Sequence, residues 1–419
     1  MGSLKNLLLI FIVMFCTQCR KSTEPIGKEN PPIGFQEEIP WPSLADTPWP
    51  MYHSDPQSTG RSKYPGPMSG VIDWTMDSLW VKSGVSIGYN HTLHFNSAGI
   101  ISGLIAANPD GSIKWNLKEV VNNMDVVSTP LVAADGTIYI GSGTSDKIYA
   151  VNSDGTLKWE FVTSGTVYTV GMNIGLDGKI YFISGLYRDE GVPALNAVNP
   201  DGSLDWRIEN PDFIHFVSSR TGLSFSPDGK TLYVPGKGPS VFAVAVETQD
   251  VKWTFGEVPI RGSVLVDSQG HLYFQSQIDS INSGNSSLFC LNPDGSIRWS
   301  FAHNNPDFSF GHMADGTLDK NGNYYFALDT LYSLDYEGNL RWKLGLERES
   351  GEPLTCDING IVYLPLRVGN GMAAVSTDGN MIWQVNFPST ISMGQSPSLG
   401  SNQIMYVASY DNEFVYAIK

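Results

Sequence analysis

The sequence predicts an all-β protein, an eight-bladed β-propeller with four antiparallel strands per blade, over residues 70–419 of a 419-residue chain. Three observations predict it. Tryptophan recurs at Trp74, Trp115, Trp159, Trp206, Trp253, Trp299, Trp342 and Trp383, at spacings of 41 to 47 residues. Most of these tryptophans end one phrase, as in AANPDGSIKW at 106–115, AVNSDGTLKW at 150–159 and CLNPDGSIRW at 290–299. The two ends of this region carry complementary parts of one unit. Residues 396–419 hold three strand-like runs and no tryptophan, whereas residues 70–76 hold a tryptophan-bearing run with nothing before it. A fixed period in the forties with one tryptophan and one Asp-Gly per unit is the pattern of propeller blades.

The chain opens with Lys5 and a nine-residue apolar run at 7–15, too short for a permanent bilayer span and suited to the core of a signal peptide. Cys16-Thr17-Gln18-Cys19 follows. A cysteine just after such a run resembles the lipobox of bacterial lipoproteins. Residues 1–18 are expected as a lipoprotein-type signal peptide and Cys19 as the lipidated first mature residue; an ordinary secreted protein with incidental cysteines is the alternative. Residues 19–47, rich in Pro, Lys and Glu, are expected as a disordered tether.

Within a unit, residues 128–134 read as a first strand, 137–140 as a second, 147–152 as a third and 156–161 as a fourth. Asp135-Gly136 and Asp154-Gly155 are the turns. The second strand recurs as TIYI at 137–140, KIYF at 179–182, TLYV at 231–234 and HLYF at 271–274, with Thr92-Leu93-His94-Phe95 standing in for it in the first unit. Seven intervals between eight tryptophans make seven units. An eighth closes by joining the residue-70 strand to the C-terminal three, since an open sheet edge must be satisfied. Cys290 occupies the place of Ala150 and Ala197 and reads as a small core residue; a disulfide with Cys356 is possible but not demanded.

The phrase around Ala150, Asp154, Gly155 and Trp159, with its equivalents in the other units, resembles the docking motif of the pyrroloquinoline-quinone-like β-propeller repeat family. Residues 48–62 (PWPMYHSDPQSTGRS) resemble the strap that leads into such propellers, which sets a strap at 48–69. The resemblance implies that the eight tryptophans dock neighbouring blades. Its members include quinoprotein dehydrogenases and a non-catalytic lipoprotein of the outer-membrane β-barrel assembly machinery.

Against a dehydrogenase, the chain lacks the adjacent cysteines that such enzymes often carry, a C-x-x-C-H haem motif and long pocket-building insertions, so no cofactor is expected. The Asp-Gly pairs read as hairpin turns rather than calcium loops. His91 and His94, placed in one strand, would point to opposite faces and make a poor metal pair. His271 reads as a surface residue. Two polar loops, with His303 and His312 in one and His215 beside Asp212 in the other, could line a channel mouth. Tyr187 and Arg188 stand in one of the longest loops, between second and third strands. The net charge of −16 argues against nucleic acid and against an anionic membrane surface.

The first reading is a non-catalytic, monomeric lipoprotein of the bacterial envelope, outer-membrane-anchored through its lipid alone, that binds or scaffolds another protein. The alternative is a propeller that binds glycan or another small ligand at the channel mouth. An enzyme comes last.

Overall fold

The structure, a computed structural model, describes residues 31–81, 83–118, 128–142, 146–167, 171–185, 192–213, 221–257, 260, 262–277, 285–304, 315–346, 350, 353–366, 371–387, 396–408 and 414–419. These residues form eight four-stranded antiparallel sheets arranged as a propeller. Blade 2 is typical, with strands Leu131–Val132, Ile138–Gly141, Lys147–Val151 and Leu157–Val162. Blade 1 begins at Ser86 and blade 7 ends at Asn386; blade 8 combines Ser398–Leu399, Met405–Ala408 and Val415–Ile418 with the strand Ile72–Met76. The first strands are two residues long, and those of several successive blades touch.

A column of three residues crosses every blade. In blade 2, Tyr139 lies opposite Ala150, which lies opposite Trp159. The same register sets Tyr181–Ala197–Trp206, Tyr233–Ala243–Trp253, Tyr273–Cys290–Trp299, Tyr325–Ser333–Trp342 and Tyr363–Ala374–Trp383. Blade 1 has His94–Ala106–Trp115, and the closing blade has Tyr406–Ala417–Trp74. A small middle residue lets the outer and inner rings meet over it, and their centroids lie 5.7 to 6.0 Å apart in all eight blades. Tilted and edge-on aromatic pairs at such distances are favourable beyond their area. The repeat of Tyr in strand two, a small residue in strand three and Trp in strand four is thus one packing requirement written three times. Cys290 meets it as alanine does. It and Cys356 are buried and free, and burial pushes the Cys290 thiol up to about 12.

The same indoles join the blades. Nε1–H of Trp74 donates to Pro109 O at 2.9 Å, and Trp115, Trp159, Trp253, Trp299 and Trp342 donate to the equivalent turns of the following blades at 2.7 to 3.1 Å. The turn glycine lies flat on the ring. At Gly338, φ is +84° and an added Cβ would stand 2.5 Å from Trp299 Cδ2. Gly338→Ala is therefore expected to cost about 2–4 kcal/mol, from left-handed strain plus a wedge between blades. Gly345→Ala, where a Cβ would meet nothing within 4 Å, should melt like the wild type. Thermal unfolding of the pair is the measurement. Trp206 faces a turn without Asp-Gly, in which Gln249 takes the left-handed conformation instead (φ +62°).

Ring closure is as the sequence predicts. Trp74 lies opposite Ala417, Thr75 opposite Tyr416 and Met76 opposite Val415, and Val71 and Lys419 exchange two backbone hydrogen bonds of 2.9 Å. Trp383 completes the circle by donating to Pro67 O at 3.0 Å, with Gly70 under its ring. Pro67 to Gly70 thus serves blade 8 as the turns between third and fourth strands serve the others.

The expected tether is shorter than 19–47. Residues from 33 onward belong to the folded body. Trp41 and Leu44 are buried in its core, Trp41 Nε1 donates to Ile174 O, and Gln36 bonds with Ser268 and Lys320. Two apolar anchors and backbone bonding to blade turns order a stretch whose composition alone reads as disorder. Residues 1–30, with Cys19, lie outside the described residues.

Candidate functional site

The connections from a fourth strand to the next first strand, and several from second to third strands, contain most of the residues outside the description. Tyr187, Arg188, His215 and His312 fall among them. His303 pairs through its backbone with Ser286 near the end of the blade 5 fourth strand, and its side chain is outside the described set.

The geometry that is described centres on the strap. Residues 49–60 cross the inner strands in blade order. Their carbonyls accept from one first-strand N–H after another: Ile87 to Trp49 O (2.7 Å), Val132 to Pro50 O (2.8 Å), Phe225 to Pro56 O (2.8 Å), Val266 to Gln57 O (2.9 Å), Leu318 to Thr59 O (3.4 Å) and Cys356 to Gly60 O (2.9 Å). In blade 3 the side chain of Asn173 bonds Pro56 O instead. Innermost strands have a free edge toward the propeller axis, and buried backbone groups are almost always paired. The strap is the partner of that edge in seven blades, and prolines fit a segment that mostly accepts.

Under the strap, Tyr52 and His53 are fully buried. The Tyr52 hydroxyl donates to Asp315 Oδ2 at 2.7 Å, Ser263 N–H donates to Asp315 Oδ1 at 2.5 Å, and His53 Nε2 lies 3.4 Å from Oδ2. Burial lowers the His53 pKa, opposed by the Asp315 charge. Composition offers no sign of this cluster; an isolated histidine in a polar run is its only trace.

The other histidines separate. His94 is buried on Trp115, in the place that tyrosine takes in the other blades. His91 is not in a strand but in a 3-10 turn, Tyr89–His91, 3.4 Å from Ser401 Oγ. His271 is not a free surface residue either. Its Nδ1 lies 3.0 Å from both Asp267 Oδ2 and the Tyr336 hydroxyl. The turn aspartates are already occupied: Asp110, Asp154, Asp201 and Asp294 each accept the hydroxyl and N–H of the Ser or Thr two residues on, which holds their carboxyls below the usual range. Among the described residues no group of three or more His, Cys, Asp and Glu is placed to hold a metal ion. Asp315 has both oxygens engaged by protein donors.

A ring of eight blades, closed across the chain ends and joined by tryptophan, defines the protein as a pyrroloquinoline-quinone-like eight-bladed β-propeller. It is related in fold to BamB-type outer-membrane assembly propellers. A family model described as outer membrane protein assembly factor BamB matches residues 101–256. No curated protein matches the chain in sequence. BamB from Moraxella catarrhalis is similar in structure at 15% identity and a TM-score of 0.58, over 83% of this chain and 97% of that one. A europium-containing methanol dehydrogenase is similar at 13% identity and 0.63, over 87% and 89%. A Dos1 propeller is similar at 10% identity and 0.59, over 84% and 94%. At such identities the likeness is one of fold, and that fold serves an assembly factor and a dehydrogenase alike.

Proposed function

We propose that the protein is a non-catalytic envelope lipoprotein, anchored through Cys19, whose propeller binds another protein as an assembly scaffold. The observation that carries this reading is the rim. Two residues before the tryptophan, seven fourth strands present an aliphatic side chain: Ile113, Leu157, Leu204, Val251, Ile297, Leu340 and Met381, each 42 to 54% exposed. These strands are also the outer edges of their sheets. Exposed apolar positions on strand edges are what a protein partner covers. The engaged Asp315 and the strap across the inner strands support a non-catalytic role, and the assembly role named for the matching family agrees with it.

Crosslinking and pull-down of the lipidated protein from its own envelope is the test. One dominant partner is expected. Ile297→Asp with Leu340→Asp should lose it while shifting stability by only about 0.5 kcal/mol per site, since both side chains are exposed. Intact mass of the membrane-extracted protein should show acylation at Cys19. Saturable micromolar binding of the quinone with calcium, followed by calorimetry, would overturn the reading in favour of a dehydrogenase.

A further inference from the structure

The strap is pinned at both ends and strained between them. At one end Trp49 O accepts from Ile87 N–H at 2.7 Å. At the other, Cys356 N–H donates to Gly60 O at 2.9 Å and Cys356 O accepts from Ser62 N–H at 2.8 Å. Between these points His53, Ser54 and Ser58 hold left-handed backbone, with φ of +54°, +73° and +55°. Residues with a Cβ adopt that conformation at a cost, and it persists only where surrounding contacts impose it.

The contacts that impose it converge on one carboxylate. Asp315 accepts from Tyr52 and Ser263 and faces His53 Nε2 at 3.4 Å. The Tyr52 ring lies on Gly171 and Gly222, where an added Cβ would stand 3.1 and 3.5 Å from its Cδ1. With both Asp315 oxygens engaged by other donors, a protonated His53 would find no acceptor at the roughly 2.7–2.9 Å of a charge-assisted bond. The charge that acts on His53 is that of Asp315, and the Ser58 backbone is its other polar neighbour. From blade 6 the Tyr324 phenol faces Asp315 and is kept neutral by burial and by that same charge. On the strap itself Asp55 is engaged by Gln57 and Thr59 and feels Arg61. Burial outweighs the attraction of Asp315 and lowers the His53 pKa, so the seated imidazole refuses a proton that an exposed one would take.

We propose that residues 51–59 are an acid-operated latch on the propeller axis, in which proton uptake by His53 lets the segment lift off Asp315 and off the inner strands of blades 4 to 6. Lifting bares the Asp315 carboxylate and the N–H groups of Phe225, Val266 and Leu318, which the strap carbonyls cover when seated. The bonds at Trp49, Gly60 and Ser62 stay in place, so the ring remains closed. Because the pKa of the seated histidine is depressed, the closed state is favoured fully above about pH 6.5 and progressively less beneath it. The latch is independent of the anchor and of the partner.

Hydrogen exchange of the full chain, read by mass spectrometry at pH 7.5 and 5.0 and corrected for intrinsic rates, tests it. Exchange in a peptide spanning residues 51–60 should quicken several-fold at pH 5.0, with about thirtyfold the ceiling for one proton. The second strands Thr231–Pro235 and Leu272–Gln277 should keep their protection. In His53→Gln the strap should exchange alike at both pH values. If that variant does not fold, Asp315→Asn, which removes the charge that favours a protonated His53, should enlarge the response. The proposal is overturned if the strap exchanges equally at both pH values in the wild type, if the second strands loosen with it, if His53→Gln keeps the response, or if Asp315→Asn abolishes it.

Discussion

Removal of residues 1–78 is expected to abolish cooperative thermal unfolding, whereas removal of residues 1–30 should leave the melting temperature unchanged. The difference rests on what residues 31–78 hold. The strand Ile72–Met76 is the fourth strand of blade 8. Without it Val415–Ile418 becomes an open edge, and the Tyr406–Ala417–Trp74 column loses its outer ring. Trp74 is also the dock of blade 8 on blade 1, and Pro67 with Gly70 is the dock of blade 7 on blade 8, so one deletion opens two neighbouring joints. Trp74 is partly buried, but the same deletion also removes the fully buried Trp49, and loss of such a tryptophan alone costs roughly 3–5 kcal/mol, a large part of the roughly 5–15 kcal/mol that holds a typical domain. A third truncation, of residues 1–66, separates strap from strand. It keeps the closing strand and the Pro67–Gly70 turn but frees six inner-strand N–H groups and removes Trp41 and Trp49. Each lost bond is worth about 0.5–1.5 kcal/mol. An intermediate melting temperature is expected. Circular dichroism melts of the three proteins decide it: a 1–78 truncation that melts within a few degrees of the 1–30 truncation would mean that the ring does not depend on its closing strand.

The blades are legible in the sequence because one contact repeats. Tyr, a small residue and Trp must meet in every unit, and the turn before each Trp must leave room for the preceding indole, so the constraint returns every 41 to 47 residues and shows against a varying background. Even the weak first unit obeys it, with His94 at the tyrosine position. The strap is not legible in the same way, because its main bonds come from backbone carbonyls, and a carbonyl leaves no mark on residue type. Its prolines read equally as disorder. The signal that was present is the two tryptophans that precede the repeat, Trp41 and Trp49, which a solvated tether would have no reason to carry. The loop residues singled out for a channel mouth, Tyr187, Arg188, His215 and His312, lie outside the described residues, so the strap side is where geometry now bears on function.

Stability should fall on acidification below about pH 6.5, and His94→Tyr should remove much of that fall. In the folded state burial, assisted by the Lys114 charge, holds the His94 pKa down to about 3, and its Nδ1 has no hydrogen-bond partner. In the unfolded chain its pKa returns to the ordinary value near 6.5. The folded pKa is depressed, so below 6.5 the unfolded state takes up a proton that the folded state refuses. Stability from this residue is therefore complete above the unfolded pKa and lost as pH falls beneath it. Between pH 8 and pH 5 the loss is about 2 kcal/mol. His53, also lowered by burial, acts in the same direction, while Asp55, raised by burial, opposes it at lower pH. Tyrosine should fit at position 94. Gly88 stands six residues before it and approaches its ring, as Gly175 approaches Tyr181 and Gly400 approaches Tyr406 in blades 3 and 8. Urea unfolding at pH 8, 6.5 and 5 is the measurement, with the two proteins compared at each pH. The variant should retain about 2 kcal/mol more of its pH 8 stability at pH 5 than the wild type does. Parallel curves would show that His94 is protonated or solvated in the folded state, and that blade 1 does not carry the aromatic column of the other seven.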